Sequence, residues 1–401
     1  MKKTTTTFIV IIFIVALLLS ASTGVYLHYF SGKSSEHTPV IAPTPTLTPI
    51  LPVSPSPTNS DPVVTPTPTV KIEEVSATIT VRDGAGYTVT ISLPVKSIAA
   101  LDGGIVEILC VIGLRDSIIA RCDSCTMPPS ILTVTSVGLN DYEPNVEALI
   151  ALKPDIIFAD SMLPYNEASY QQLKNAGIPV YIVDTTNPEP VNPSKMTKDE
   201  LYNSPTPIDF VCDLMQNFTA IVGHHEQVTA YVNWIQPYNQ LVKDRIYTLP
   251  SDKQAKVFLE WCNYPYQTFV TQSIYQAGGV NIAENQTIYS PLLSPEFVVE
   301  QNPAVIIEYI LSPTHSVDDF VAAKNVVLSR SVLQNVDAVK NGRVYIIDWA
   351  ARDGVRSIVG YLYWAKWIQP DFFVDIDPAT INQEFNQKFY GTTIDGTFGY
   401  P

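Results

Sequence analysis

The chain has 401 residues, with 24 basic and 39 acidic side chains and a formal charge of −15, which is length enough for two or three domains. It carries no basic stripe, so nucleic acid is excluded as a partner. Five cysteines are too few for a disulfide scaffold, and an odd number leaves at least one unpaired within the monomer.

Lys2 and Lys3 precede an apolar run from Phe8 to Leu19, which continues less purely to Phe30. Phe8–Phe30 just reaches the ~20 residues that span a bilayer as helix. The lysines favour a cytoplasmic N-terminus and place everything afterwards outside. A cleaved signal peptide ending near Leu19-Ser20-Ala21 is the alternative, and it too exports the chain. No cysteine follows the run closely, which excludes an acylated lipoprotein. Residues 1–30 are therefore expected to be an anchor or signal. From Thr38 to Val70 the sequence is a Pro/Thr/Ser tract, with too little to bury to offset its ordering entropy. Residues 31–71 are expected to be an extended stalk, up to roughly 100 Å at ~3.1 Å per residue.

Three folded segments are expected: an α/β lobe over 72–206, a helical region over 207–249 and a second α/β lobe over 250–401. Ala77–Val81 and Tyr87–Ile91 alternate as a hairpin around Asp83-Gly84-Ala85-Gly86. Ile98–Leu101 is a buried strand ending at Asp102-Gly103-Gly104, followed by a helix over Ile105–Ile112. Strands Ile118–Arg121, Ile156–Phe158 and Val180–Val183 then alternate with helices, the pattern of a parallel sheet covered on both faces. Asn187–Thr206, rich in Pro and Asn, is expected to be a loop or surface insertion. Pro207–Ile221 is helical, and a long helix from His224 to about Tyr247 bridges the lobes, with a kink expected at Pro237. The pattern restarts with strands Lys256–Glu260, Val305–Tyr309 and Arg343–Ile347, a short helix Tyr275–Ala277, and a last helix over Ser357–Ile368. Sequons at Asn217 and Asn285 are consistent with export.

One grammar occurs twice. Val146, Leu149, Ile150 and Leu152 recur at helical spacing; Pro154 stops that helix, and Ile156-Ile157-Phe158 follows as strand. Glu296–Tyr309 repeats it, with Glu296 as far from Pro303 as Glu147 is from Pro154 and Ile-Ile after both prolines. Matching helix, proline, strand and glutamate point to two related lobes. Cys122-Asp-Ser-Cys125 lacks the further ligands of a zinc site nearby, so a local disulfide is expected there and no metal site. Nothing calls for a cofactor. No Ser/His/Asp order, P-loop or H-E-x-x-H motif commends catalysis.

Asp83…Tyr87-Thr-Val-Thr, Leu149-Ile-Ala-Leu-Lys-Pro-Asp-Ile-Ile, Ala277-Gly-Gly-Val-Asn-Ile and Ala338-Val-Lys-Asn-Gly-Arg-Val-Tyr-Ile-Ile-Asp resemble the solute-binding proteins of ABC importers for iron–siderophore, haem and cobalamin. The resemblance covers about Val75 to the C-terminus. It implies two Rossmann-like lobes with parallel-type sheets, joined by one rigid helix, with ligand held in a cleft between them. The stalk and the anchor resemble archaeal members of the family more than bacterial ones. It also implies that Glu147 and Glu296 dock onto a dimeric ABC permease, one from each lobe; the alternative is two solvated acids favoured by helix dipoles.

Ligand is expected at the carboxyl ends of the strands. That selects Asp102, Arg121, Asp123 and Asp160 from the first lobe, and Trp261, Tyr264, Tyr266, Tyr309, Asp348, Trp349 and Arg352 from the second. Asp348-Trp-x-x-Arg352 resembles the cobalamin-binding member, and Trp261, Tyr264 and Tyr266 suit a large flat chelate. Arg121 and Arg352 would pair with an anionic siderophore or with propionates, or else form structural ion pairs with aspartates. The expected function is extracellular capture of a metal chelate, ferric siderophore first and cobalamin or haem second. A thiol-dependent enzyme and a non-transport surface or sensor protein are the alternatives.

Overall fold

A computed structural model describes residues 77–183, 193–261, 264–286, 288, 290–312, 314–352 and 354–401. The expected anchor or signal and stalk lie outside these residues. Among the described residues no helix is long and apolar enough to cross a membrane.

The chain opens with an antiparallel hairpin, β1 (Ala77–Arg82) and β2 (Thr88–Leu93). Its turn is closed by the Asp83 carboxylate, which accepts the Tyr87 N–H at 2.7 Å. The first lobe follows: β3 (Ile98–Ala100), α1 (Gly103–Val111), β4 (Ile118–Arg121), β5 (Thr135–Ser136), α2 (Val146–Leu152), β6 (Ile156–Ala159), α3 (Glu167–Asn175) and β7 (Val180–Ile182). Its sheet has the order β5-β4-β3-β6-β7 with every pairing parallel. β3 and β6 are buried throughout, because helices cover both faces and leave no polar side to alternate.

Three helices connect the lobes: α4 (Lys198–Asn203), α5 (Pro207–Val222) and α6 (His225–Thr248). α4 lies where a loop or surface insertion was expected. It forms because Thr197 and Glu200 make a capping box, each side chain taking the other's backbone N–H, a signature already present in the sequence. α5 begins with the same device at Thr206 and Asp209. The 24 residues of α6 span about 36 Å. This helix is continuous, with Pro237 inside it, as the sequence suggested. It packs against α1 of the first lobe and α11 of the second.

The second lobe comprises β8 (Ala255–Glu260), α7 (Gln272–Gln276), β9 (Gly279–Asn281), α8 (Pro295–Gln301), β10 (Val305–Ile310), α9 (Val317–Leu328), α10 (Asp337–Lys340), β11 (Val344–Asp348), α11 (Ser357–Ile368), α12 (Pro378–Tyr390) and β12 (Gly399–Tyr400). Its sheet order is β12-β11-β10-β8-β9, parallel except for the edge strand β12. Taken in chain order, β8, β9, β10 and β11 occupy the same places as β3, β4, β6 and β7. The two lobes are therefore one topology used twice, with β5 and β12 added at different edges.

The repeated grammar is also repeated structure. α2 and α8 each have seven residues, capped at the N-terminus by Asn145 and Ser294 and ended by a left-handed residue, Lys153 or Asn302. Each then passes through proline into a buried strand.

Candidate functional site

The switch points of the two sheets lie between β3 and β6 and between β8 and β10, and ligands of open α/β sheets bind outside the carboxyl ends of strands at such points. In the first lobe this edge is acidic. Asp102 follows β3 and caps α1, accepting the Ile105 N–H at 3.0 Å. Asp160 follows β6 and accepts the Met162 N–H at 2.6 Å. Its carboxyl also shares a hydrogen bond with Asp141, a residue the sequence reading did not select. Burial, and then the neighbouring Asp141, push Asp160 up to about 8, and burial likewise raises Asp141. Burial and the neighbouring carboxyl thus both oppose full ionisation of the pair. Asp123, after β4, is exposed.

The second lobe presents aromatic rings and a guanidinium at the matching edge. Trp261 follows β8, and its ring lies 4.3 Å from that of Trp349, which follows β11. Arg352 lies over Trp349 at 4.4 Å and over Phe269 at 4.8 Å, centroid distances suited to cation–π attraction. Trp261, Trp349 and Arg352 are half-buried, so part of each side chain reaches solvent. Phe269, fully packed beneath them, was not selected from the sequence because no strand or motif marks it.

The lobes touch beside this edge. A Cβ added at Gly354 would meet the Gly104 Cα at 3.4 Å, so the Trp349–Arg352 segment lies next to the α1 N-terminus. Behind that contact, fully buried Arg356 of the second lobe donates through Nε to Glu107 of α1 at 2.6 Å. Tyr390 donates to the same Glu107 oxygen at 2.7 Å. Arg356 Nη1 reaches Asn382 and Asn386 at 2.8 and 3.0 Å. This inter-lobe ion pair was not anticipated, since its members are 249 residues apart.

Four sequence-selected residues are placed differently from expectation. Arg121 is buried, and its guanidinium donates to the carbonyls of Ile131, Cys122 and Cys125, so it braces its own loop. Tyr309 is fully buried at the centre of the aromatic packing, with Phe269 stacked on it and Trp364 behind. Asp348 is 2% exposed; it pairs with His315 Nδ1 at 2.8 Å and accepts the Ala350 N–H. Tyr266 turns to the other face of the sheet, where Arg330 lies over its ring at 5.3 Å. Tyr264 remains at the edge, exposed.

The expected disulfide is corrected as well. Cys122 and Cys125 are both free and fully buried, with Cys125 Sγ directed 4.0 Å from the Ala100 carbonyl. Burial pushes the Cys125 thiol up to about 12 and raises Cys122 also. A reactive cysteine needs exposure and a lowered pKa, so nothing here suits thiol chemistry. Among the described residues no group of three or more His, Cys, Asp or Glu is placed to hold a metal ion.

Glu147 and Glu296 are both exposed and both occupy the second position of their helices, α2 and α8. The topological equivalence of the lobes makes them equivalent positions.

A family model described as "periplasmic binding protein" matches residues 98–351. The uncharacterized ABC transporter substrate-binding lipoprotein YvrC of Bacillus subtilis is 27% identical over 304 residues, covering 74% of this chain and 87% of that protein. The vitamin B12-binding protein of Yersinia pestis is 24% identical over 245 residues, covering 58% and 76% respectively. The structure of the Haemophilus influenzae molybdate periplasmic binding protein MolA, bound to molybdate, superposes with a TM-score of 0.62. It is 20% identical and covers 80% of this chain and all of that one, a likeness of fold.

Proposed function

The chain belongs to the periplasmic binding protein family, and from that premise we propose that it is the solute-binding component of an ABC importer that captures a neutral or cationic metal chelate. The observation that carries this reading is the unlike character of the two edges. Trp261 and Trp349 offer a half-buried aromatic wall for a flat or greasy face. Asp102, Asp123 and the Asp141–Asp160 pair give the first-lobe edge hydrogen-bond acceptors and negative charge. Arg352 adds a guanidinium to the aromatic edge, stacked on Trp349.

An oxyanion such as the molybdate bound to MolA would lie beside the carboxyl groups of Asp102, Asp123 and the Asp141–Asp160 pair, which Coulomb repulsion in a part-buried site disfavours. A chelate with amide N–H groups at its rim meets the acids as donors and the indoles as an apolar surface. Ferric siderophores of neutral charge and corrinoids both fit; haem, with two propionates, fits less well. Docking on the permease is assigned to Glu147 and Glu296. Exposed ion pairs contribute only ~0–1 kcal/mol each, so these acids would set register and encounter more than affinity. We place the folded unit outside the membrane on the N-terminal anchor, and we assign it binding without turnover.

The test is thermal-shift screening of the full chain against a neutral ferric hydroxamate, cobalamin, haem and molybdate. A true ligand at a hundred times its dissociation constant stabilises by about 2.7 kcal/mol, and Trp261→Ala with Trp349→Ala should abolish that gain. Stabilisation by molybdate alone would reject the reading.

A further inference from the structure

On β10, Glu308 precedes Tyr309, and successive side chains of a strand point to opposite faces. Tyr309 faces the aromatic wall, so Glu308 faces the other side, under α9. There it is 7% exposed, and its Oε2 has no hydrogen-bond partner. It lines a cavity of about 220 Å³ with apolar walls from Pro265, Leu311, Ala323 and Val326, and Arg330 at one side. The guanidinium is already matched: its Nη1 lies 2.6 and 2.7 Å from the two oxygens of fully buried Glu260, the register neighbour of Glu308 on β8. Tyr266, whose ring packs under Arg330, gives its backbone N–H to the same carboxylate at 2.6 Å.

We propose that this cavity is a second binding site, for a small organic monocation with an ammonium group on a short apolar tail, and that Glu308 receives the charge. The formal charges decide the sign of the ligand. Glu260 and Arg330 cancel, so the cavity is neutral with Glu308 protonated and carries −1 with it ionised. A monocation restores neutrality beside the buried Glu308 carboxylate, whereas an anion finds no free cation there, since Arg330 is already paired with Glu260. The volume is below the ~300–1,000 Å³ of pockets for drug-sized ligands, so the occupant is small. Burial, reinforced by Glu260 and opposed by Arg330, pushes Glu308 up to about 8. Binding of an ammonium ion at neutral pH therefore expels the carboxyl proton to solvent, with no bond to the ligand made or broken. The site lies on the face opposite the aromatic wall and does not depend on the chelate reading.

Calorimetric titration of the full chain with n-butylammonium chloride, at pH 7 in buffers of different ionisation heat, tests this. Nearly one proton should be released per ion bound. Affinity should rise roughly tenfold per pH unit as pH approaches 8 from below, and Glu308→Gln should lose at least tenfold while keeping its circular dichroism. Absence of binding at pH 8.5, binding without proton release, or equal affinity for n-butanol or butyrate would each overturn the proposal. Should the glutamine variant not fold, proton release by the native protein decides alone.

Discussion

Replacing Arg356 with methionine removes the cation that ties the second lobe to Glu107 of the first, while keeping much of the buried aliphatic volume. In the native protein the guanidinium is fully buried and donates to Glu107, Asn382 and Asn386. Phe398, Phe385 and Tyr390 surround it at 4.7, 5.1 and 5.5 Å. After substitution Glu107 retains the Tyr390 hydroxyl but faces no cation. Breaking a buried pair by removing one partner costs about 3–5 kcal/mol, because the remaining charge is uncompensated. The unmet asparagine oxygens place the expected loss toward the upper end of that range. The assay is urea unfolding of the full chain at pH 7, followed by tryptophan fluorescence, in a cycle with Glu107→Gln and the double variant. The double variant should recover about 1–3 kcal/mol relative to Arg356→Met, since a buried amide needs no counter-charge. An Arg356→Met variant within ~1 kcal/mol of native, or a double variant no better than the single, would refute the reasoning.

Charge reversal at Glu147 and Glu296 together should abolish stimulation of the permease ATPase in reconstituted vesicles while leaving ligand affinity unchanged; each single reversal should weaken it. Asp160→Asn should raise the urea midpoint more at pH 8 than at pH 5. An acid whose folded pKa is raised binds more protons folded than unfolded between about 4 and 8, so its burden on stability grows across that window and the variant escapes it. Gly360→Ala should destabilise by about 1–3 kcal/mol and weaken chelate binding, because a Cβ there would fall on the Ala351 carbonyl oxygen and displace the turn carrying Trp349. Matched melting curves and titrations of the variant check both effects.

Local pattern determined a good deal of this protein. The buried strands Ile98–Ala100, Ile156–Ala159 and Val305–Ile310 announce themselves as apolar runs. Pro154 and Pro303 mark where their preceding helices stop, because proline constrains the residue before it whatever the tertiary context. The equivalence of Glu147 and Glu296 follows from that repeated pattern. Even α4, taken for a loop or surface insertion, carried its capping box in the sequence.

What each polar or aromatic side chain at a strand end faces was a different kind of question. Asp348 and Asp160 look alike in sequence, yet one is turned to His315 and the other lies against a second carboxyl, Asp141. Arg121 finds three carbonyls of its own loop, and Tyr309 lies one residue from Glu308 but on the opposite face. The partners that settle these cases come from distant segments, as Glu107 and Arg356 do. Burial and hydrogen bonding of a side chain depend on what the whole fold packs against it, so periodicity locates the strand end and only tertiary packing decides which of its residues remain open to a ligand.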